Sequence, residues 1–177
     1  MEQLRRDVDP VETPGQFLLR RDDPIIARDL AERVLERTRR RLGDAAWSEA
    51  RRPRWTWTPA RRLRVGYVCS DLAMHPVGLS IRTLLLNHDK ARFEVFLYDR
   101  TPEPDGTVAG PVAMGADASR PCLELSSEAM EALVQNDGID ILVDLSGSVI
   151  GSGDTVFSRP SAPARVAMLG YPGAMGR

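Results

Sequence analysis

The pattern of hydrophobic positions divides the chain into a helical beginning and a remainder in which strand-like and helix-like segments alternate. Ile26, Leu30 and Val34 recur every four residues behind an Asp-Asp-Pro start. An aspartate cap followed by proline in the first turn is typical of a helix N-terminus. The spacing therefore predicts an amphipathic helix from about Asp22 to Gly43.

From Leu63 onward, apolar runs with strand character alternate with helical patterns. The predicted strands are Leu63–Ser70, Phe93–Tyr98, Arg120–Leu125, Ile139–Gly147 and Arg165–Gly173. Helices are predicted at Val77–Asn87 and over SSEAMEALVQN, where serine caps the start and Asp-Gly ends the pattern. Thr101–Gly115 holds three prolines and three glycines, so we predict mostly loop there.

This alternation predicts the fold class and the division of the chain. Strands that are apolar on both faces indicate an α/β fold, a Rossmann-like parallel sheet flanked by helices. We expect residues 1–62 to form a helical lead-in and an Arg/Trp/Pro linker, and 63–177 to form the α/β lobe, incomplete at its carboxyl end. Trp55 and Trp57 in the linker could form an aromatic platform for a sugar or peptide, but an extended arm held on the domain surface is favoured.

Length and cysteine content restrict the possible classes. The chain has 177 residues, enough for one domain but too few for two complete nucleotide-binding lobes. No apolar run approaches the roughly 20 residues that cross a bilayer, and the polar start lacks a secretion signal, so we predict a cytoplasmic protein without a membrane partner. Cys69 and Cys122 lack C-x-x-C spacing and are interpreted as buried apolar residues, with a functional thiol at Cys69 as the lesser alternative.

Charge is distributed unevenly along the chain. Residues 1–64 carry sixteen arginines and eleven acidic residues, a balance of +5, and the remainder carries −6, which together give the net −1. The arginines alternate with acidic residues, as they do on a solvated helix face, so we predict no nucleic-acid partner.

The candidate chemistry lies where the predicted strands end, because ligands of open parallel sheets bind beyond the carboxyl ends of the strands. His75 follows the first strand and precedes Pro76, which can begin the next helix. Imidazole exchanges protons near neutral pH, so His75 could be a catalytic base or a structural residue that hydrogen-bonds the loop. His88, at the end of that helix, is interpreted as structural.

A second group of candidates follows the Ile139–Gly147 strand. Asp144, Ser146 and Gly147 could bind substrate or organise the site; alternatively, Asp144 only ties down the turn that follows. The GSVIGSG segment lacks the lysine of a phosphate-binding loop, and the first strand lacks GxGxxG. A P-loop NTPase or a dehydrogenase is therefore disfavoured.

The ordered motifs resemble a known family. RLRVGYVCSD with HPVG, then FEVFLYDR, DGIDILVDLSG and FSRPSAPARVAMLGYPGAMG, resemble the amino-terminal lobe of the catalytic region of O-linked N-acetylglucosamine transferases of the SPINDLY type. The resemblance covers nearly the whole chain and is strongest over residues 63–177. It implies the GT-B architecture, in which the active site lies between two Rossmann-like lobes.

The resemblance also implies a reaction and its residues. Family members transfer a sugar, typically from UDP-GlcNAc, to Ser or Thr hydroxyls of proteins, without a cofactor or a metal. Their proposed base falls on His75. The segment Gly170, Tyr171, Pro172 and Gly173 falls where the family's lobe faces the cleft, so these residues are expected to contact donor or acceptor.

Departures from the family pattern limit what is expected of this chain. The carboxyl-terminal lobe, which supplies most donor contacts in the family, and the tetratricopeptide repeats have no counterpart in the sequence, and Ser148 replaces a His or bulky residue. We therefore expect little transferase activity unless a complementing carboxyl-terminal lobe is present. Two alternatives remain: a non-catalytic protein- or peptide-binding α/β domain of the same fold, and an unrelated nucleotide- or sugar-binding domain.

Overall fold

A computed structural model describes residues 53–102, 106–146 and 159–169, together with single positions between 25 and 43. The elements are β1 (Leu63–Cys69), α1 (Pro76–Leu86), β2 (Phe93–Asp99), α2 (Gly106–Met114), β3 (Ala118–Pro121), α3 (Ser127–Asn136), β4 (Ile141–Asp144) and β5 (Ala164–Ala167). All neighbouring strands are parallel, in the order β3-β2-β1-β4-β5. The predicted α/β class, a parallel sheet flanked by helices, is confirmed.

The central strand β1 is buried on both faces because helices cover both sides of the sheet. Val65, Tyr67 and Cys69 pack toward α1 and α2, and the alternate residue Val68 packs toward α3. This arrangement explains why the strand is a continuous apolar run and does not alternate between polar and apolar residues. Both cysteines are free and buried, as predicted.

Two predicted boundaries hold because their local chemistry is strong. The Ser126 hydroxyl accepts a hydrogen bond from the Ala129 N–H, which caps α3 at its start. Gly138, directly after the Asp137 C-cap, has φ of +63°, a conformation that glycine adopts without strain. The described positions between 25 and 40 are helical, and Ile26 is buried, in agreement with the predicted amphipathic helix.

The prediction of loop over Thr101–Gly115 is wrong, because α2 occupies most of it even though Pro111 lies inside the helix. Proline removes one backbone hydrogen-bond donor from the helix, but the packing of apolar side chains against the core offsets this loss. Val112 is fully buried, with Ala109 and Ala113 against the same core. At Gly115 an added Cβ would lie 2.8 Å from the backbone of Leu85, so the end of α2 fits closely against α1.

The third strand begins and ends earlier than the predicted Arg120–Leu125. It spans Ala118–Pro121, and its start is fixed by Asp117, whose Oδ2 accepts a hydrogen bond from the Val95 N–H at 2.8 Å. The Asp117 N–H in turn donates to the Val95 carbonyl at 2.7 Å. This two-point contact with β2 sets the register of β3, and it cannot be read from the apolar pattern of the segment itself.

Candidate functional site

His75 lies at the carboxyl edge of the sheet, six residues after the last residue of β1. It is exposed and forms the N-cap of α1, with extended backbone at φ −118° and ψ 146°. Its Nδ1 accepts a hydrogen bond from the Val77 N–H at 3.3 Å. The cap exists because Pro76 takes the first helical position, where its missing N–H leaves no donor unpaired. Its predicted position at the edge of the sheet is confirmed; its predicted role as a base stays a prediction.

The loop between β1 and α1 is bound to the neighbouring strands on both sides. The Ser146 hydroxyl, just beyond β4, accepts a hydrogen bond from the Ser70 N–H at 3.0 Å. The Thr101 hydroxyl, just beyond β2, accepts one from the Leu72 N–H at 2.8 Å. The three strand ends are therefore connected by side-chain hydrogen bonds directly before His75.

Asp144 and Ser146 reach this edge as buried residues with 1% and 0% exposure. Asp144 Oδ1 accepts a hydrogen bond from the Ser146 N–H at 2.9 Å, the geometry of an Asx turn. The polar atoms of the two residues thus bind backbone N–H groups of this chain, and their role in substrate binding stays a prediction. The other predicted contacts, Gly147 and Gly170, Tyr171, Pro172 and Gly173, lie outside the described residues.

Thr101 is absent from the predicted site residues, although its hydroxyl bonds the same loop as Ser146. A signal for it exists in the sequence. Asp-Arg-Thr begins at the last residue of β2 and Asp-Leu-Ser at the last residue of β4, so the same Asp-x-Ser/Thr triplet ends both strands that flank β1. The repetition acquires meaning only when the strand order is known.

Cys69, at the carboxyl end of β1, lies close to three carboxylates. Burial is the main cause that raises the pKa of its thiol to about 12; a backbone hydrogen bond at Asp71 opposes this, and the carboxylates of Asp71, Asp99 and Asp144 add to it. A thiol in this setting stays protonated, which disfavours a nucleophilic role for Cys69.

His88, the second histidine, lies away from this edge, after the C-terminus of α1. Its Nε2 is 2.8 Å from the Tyr67 hydroxyl, and its ring packs edge-on against Phe93. Burial and the nearby Lys90 ammonium lower the pKa of His88. These contacts agree with the structural interpretation, and they distinguish His88 from the exposed His75.

The arginines around the start of β1 are bound by carboxylates of the sheet. Arg61 pairs with Asp140. Arg62 pairs with Asp117 at 2.9 Å and Arg64 with Glu94 at 2.8 Å. These pairs use the positive charge of the three arginines within the fold. Trp57 also contacts this segment, because its indole N–H donates to the Arg61 carbonyl at 3.1 Å.

Within 53–102, 106–146 and 159–169 and the single positions near the N-terminus, no three His, Cys, Asp or Glu side chains group as a metal site. Over the same residues, no helix combines the length and apolar character needed to cross a membrane.

Comparison with known proteins identifies the family. Residues 24–177, which are most of the chain, match the sequence model of glycosyl transferase family 41. The chain belongs to glycosyl transferase family 41. The resemblance found in the sequence motifs is thereby confirmed.

Relatives within the family are transferases of N-acetylglucosamine to peptides. The chain is 36% identical over 122 residues to the UDP-N-acetylglucosamine–peptide N-acetylglucosaminyltransferase of Caenorhabditis elegans. It is 29% identical over 116 residues to the probable transferase SEC of Arabidopsis thaliana. The matches cover 66% of this chain in both cases, but only 10% and 12% of the relatives, so the chain spans about a tenth of the curated relatives it matches.

The solved structure of an O-GlcNAc transferase confirms the fold of this region. A variant of the O-GlcNAc transferase of Thermobaculum terrenum superposes with a TM-score of 0.75 at 32% identity. The match covers 94% of this chain and 32% of that structure. The chain therefore corresponds to about a third of the solved relative.

Proposed function

We propose that this chain supplies the part of a sugar-transfer site that carries the general base. In the completed enzyme, N-acetylglucosamine passes from UDP-GlcNAc to Ser or Thr hydroxyls of a protein acceptor. Membership of family 41 and the activities named for the C. elegans and A. thaliana relatives support this reaction. The observation that carries it is the exposed imidazole of His75 at the carboxyl edge of the sheet, beside the central strand.

The chemistry requires one proton transfer at that imidazole. The acceptor oxygen forms a bond to the anomeric carbon of the sugar while the bond from that carbon to the diphosphate breaks. UDP leaves with the bonding electron pair, and the hydroxyl proton passes to His75. A positioned base of this kind typically contributes about 10²–10⁴-fold to the rate.

The tautomer of His75 determines which ring atom can act. A neutral ring whose Nδ1 accepts the Val77 N–H carries its own proton on Nε2 and has no free lone pair there. To take the proton of the substrate hydroxyl at Nε2, the ring must therefore carry its own proton on Nδ1, and the hydrogen bond from the Val77 N–H must be broken. At 3.3 Å this hydrogen bond is weak, so its release costs about 1 kcal/mol.

The donor diphosphate, in this proposal, is bound mainly by a complementing carboxyl-terminal lobe, and no metal takes part. The three carboxylates close to Cys69 support this division of the site, because negative charges repel a diphosphate. Gly147 and the Gly170–Gly173 segment remain proposed contacts to the sugar or acceptor. Calorimetry of the 177-residue chain with UDP-GlcNAc should then show no micromolar affinity, and chelation of metals should leave transfer in the completed enzyme unchanged.

A cytoplasmic location completes the proposal. It is supported by Cys69 and Cys122, which are free and buried, a state that suits a reducing compartment. Fractionation of the source cells, with the chain detected by antibody, should place it with the cytosolic proteins. Recovery from a secreted fraction would contradict this part.

The proposed reaction can be tested in a chimera in which this chain replaces the matching third of the T. terrenum transferase. We expect transfer of radiolabelled GlcNAc to a serine-containing peptide, but not to the same peptide with alanine in place of serine. The intact relative serves as the positive control. A folded chimera that binds UDP-GlcNAc yet transfers nothing would contradict the proposal and favour a non-catalytic peptide-binding domain.

A further inference from the structure

We propose that Asp99 with Thr101, and Asp144 with Ser146, act as two equivalent clamps that position the loop carrying His75. They are called the strand-end clamps below. The inference rests on the proposed function, because it assigns positioning residues to a site whose base is His75. It concerns residues whose polar atoms contact the loop and not the substrate.

The two clamps have the same internal construction. In the first, Asp99 Oδ1 accepts a hydrogen bond from the Thr101 N–H at 2.9 Å. In the second, Asp144 Oδ1 accepts one from the Ser146 N–H, also at 2.9 Å. Each aspartate thus closes an Asx turn that fixes the hydroxyl residue two positions later.

Both clamps hold the end of β1 through the same pair of contacts. The middle residue of each triplet donates its backbone N–H to a β1 carbonyl: Arg100 to Cys69 at 2.8 Å, and Leu145 to Val68 at 3.0 Å. The hydroxyl residue then accepts a loop N–H, from Leu72 at Thr101 and from Ser70 at Ser146. The loop is therefore held from β2 on one side and from β4 on the other.

Burial makes these contacts costly to lose. Thr101 is 8% exposed, Ser146 is fully buried, and the side chain of Leu72 is also fully buried. The Leu72 N–H lies in a buried hydrogen bond, so no water replaces its acceptor when the Thr101 hydroxyl is removed, and the loop is locally destabilised. His75 lies three residues after Leu72, so movement of the loop displaces the imidazole. A displacement of about 1 Å in a catalytic group can cost about 10²-fold in rate.

The clamps can be tested in the 177-residue chain by amide hydrogen exchange and by NMR of the histidine rings. Thr101→Val removes one acceptor and Ser146→Ala the other, while Thr101→Ser keeps the hydroxyl. We expect Thr101→Val to speed exchange at the Leu72 amide about tenfold or more relative to β1 amides such as Val68. Ser146→Ala should do the same at Ser70, and Thr101→Ser should exchange at the wild-type rate.

The ring signals report on His75 directly, because the chain has only two histidines. In each acceptor-removing variant we expect the His75 signals to broaden or shift, with those of His88 unchanged. Thr83→Val, on the exposed face of α1, is the matched control and should alter neither. If Thr101→Val does not fold, Ser146→Ala alone decides the outcome at Ser70 and His75.

Failure of the clamps can be distinguished from failure of the proposed function. Unchanged exchange at Ser70 and Leu72, or His75 signals that stay at their wild-type positions, would overturn the clamps. In the transferring chimera, Thr101→Val should lower kcat about tenfold or more with little change in KM, and Thr101→Ser should restore it. If His75→Ala abolishes transfer but Thr101→Val leaves kcat unchanged, the positioning role is wrong and the base assignment stands.

Discussion

The Arg61 guanidinium and the Asp140 carboxylate form a two-point ion pair at the amino-terminal edge of the sheet, with N···O distances of 2.7 and 2.8 Å. The Arg64 N–H donates a third hydrogen bond to the same carboxylate at 2.9 Å. Asp140 is 2% exposed, so its charge depends on these partners. The pair fixes the end of the linker to the start of β4, on the side of the sheet opposite His75.

Removal of Arg61 should destabilise the fold because it leaves a buried carboxylate without its cation. We expect Arg61→Gln to lower the free energy of unfolding by about 2 kcal/mol in urea titrations. Arg54, exposed on the same linker, provides the control, and Arg54→Gln should change it by less than about 0.5 kcal/mol. Equal effects of the two substitutions would show that the pair contributes no specific stability.

The surroundings of His88 predict a loss of stability in mild acid. Burial and Lys90 lower its pKa, so the folded chain binds a proton there less readily than the unfolded chain, whose histidine titrates near pH 6.5. The contribution of the neutral His88 ring to the free energy of unfolding is fully present above a pH of about 6.5 and decreases as the pH falls below that value. His88→Gln should remove this part of the pH dependence in urea titrations between pH 7.5 and 5.5; an unaltered slope would contradict the assignment.

Gly66 and Gly110 should respond differently to the same substitution. A Cβ at Gly66 in β1 would lie 2.8 Å from the Tyr98 ring and 3.2 Å from Leu142. We expect Gly66→Ala to lower the free energy of unfolding by about 1–3 kcal/mol through overpacking. Gly110→Ala in α2 should change it by less than about 0.5 kcal/mol, because the helix preference of alanine is offset by the crowding of its Cβ against the ring of Pro111. Thermal unfolding of the two variants compares the two effects, and a stabilised Gly66→Ala would refute the packing described for β1.

The strands β1, β2 and β4 could be predicted because each contains an apolar run, whereas β3 (Ala118–Pro121) is not apolar and its limits could not be predicted. Ser126 and Gly138 are local signals, so the limits of α3 follow from the sequence alone. The helix α2 could not be predicted, since Pro111 opposes it and only the burial of Val112 against the core favours it. Long-range packing, which no local pattern reports, decides that element.

The candidate site was accessible to sequence reasoning only in part. His75 could be located because Pro76 and the preceding apolar run mark a strand-to-helix transition. Thr101 could not be connected to it, because their relation depends on β2 lying beside β1. Asp144 showed its position at a strand end, but the orientation of its carboxylate toward the Ser146 N–H required the structure.

The central claim is that the imidazole of His75 takes the acceptor proton, and single-turnover transfer in the chimera tests it most directly. With saturating UDP-GlcNAc and serine peptide, His75→Ala should reduce the rate of transfer by about 10²-fold or more without loss of donor binding. His88→Gln, which changes the structural histidine, should leave the rate within about twofold. A His75→Ala chimera that transfers sugar at the unsubstituted rate would contradict the account.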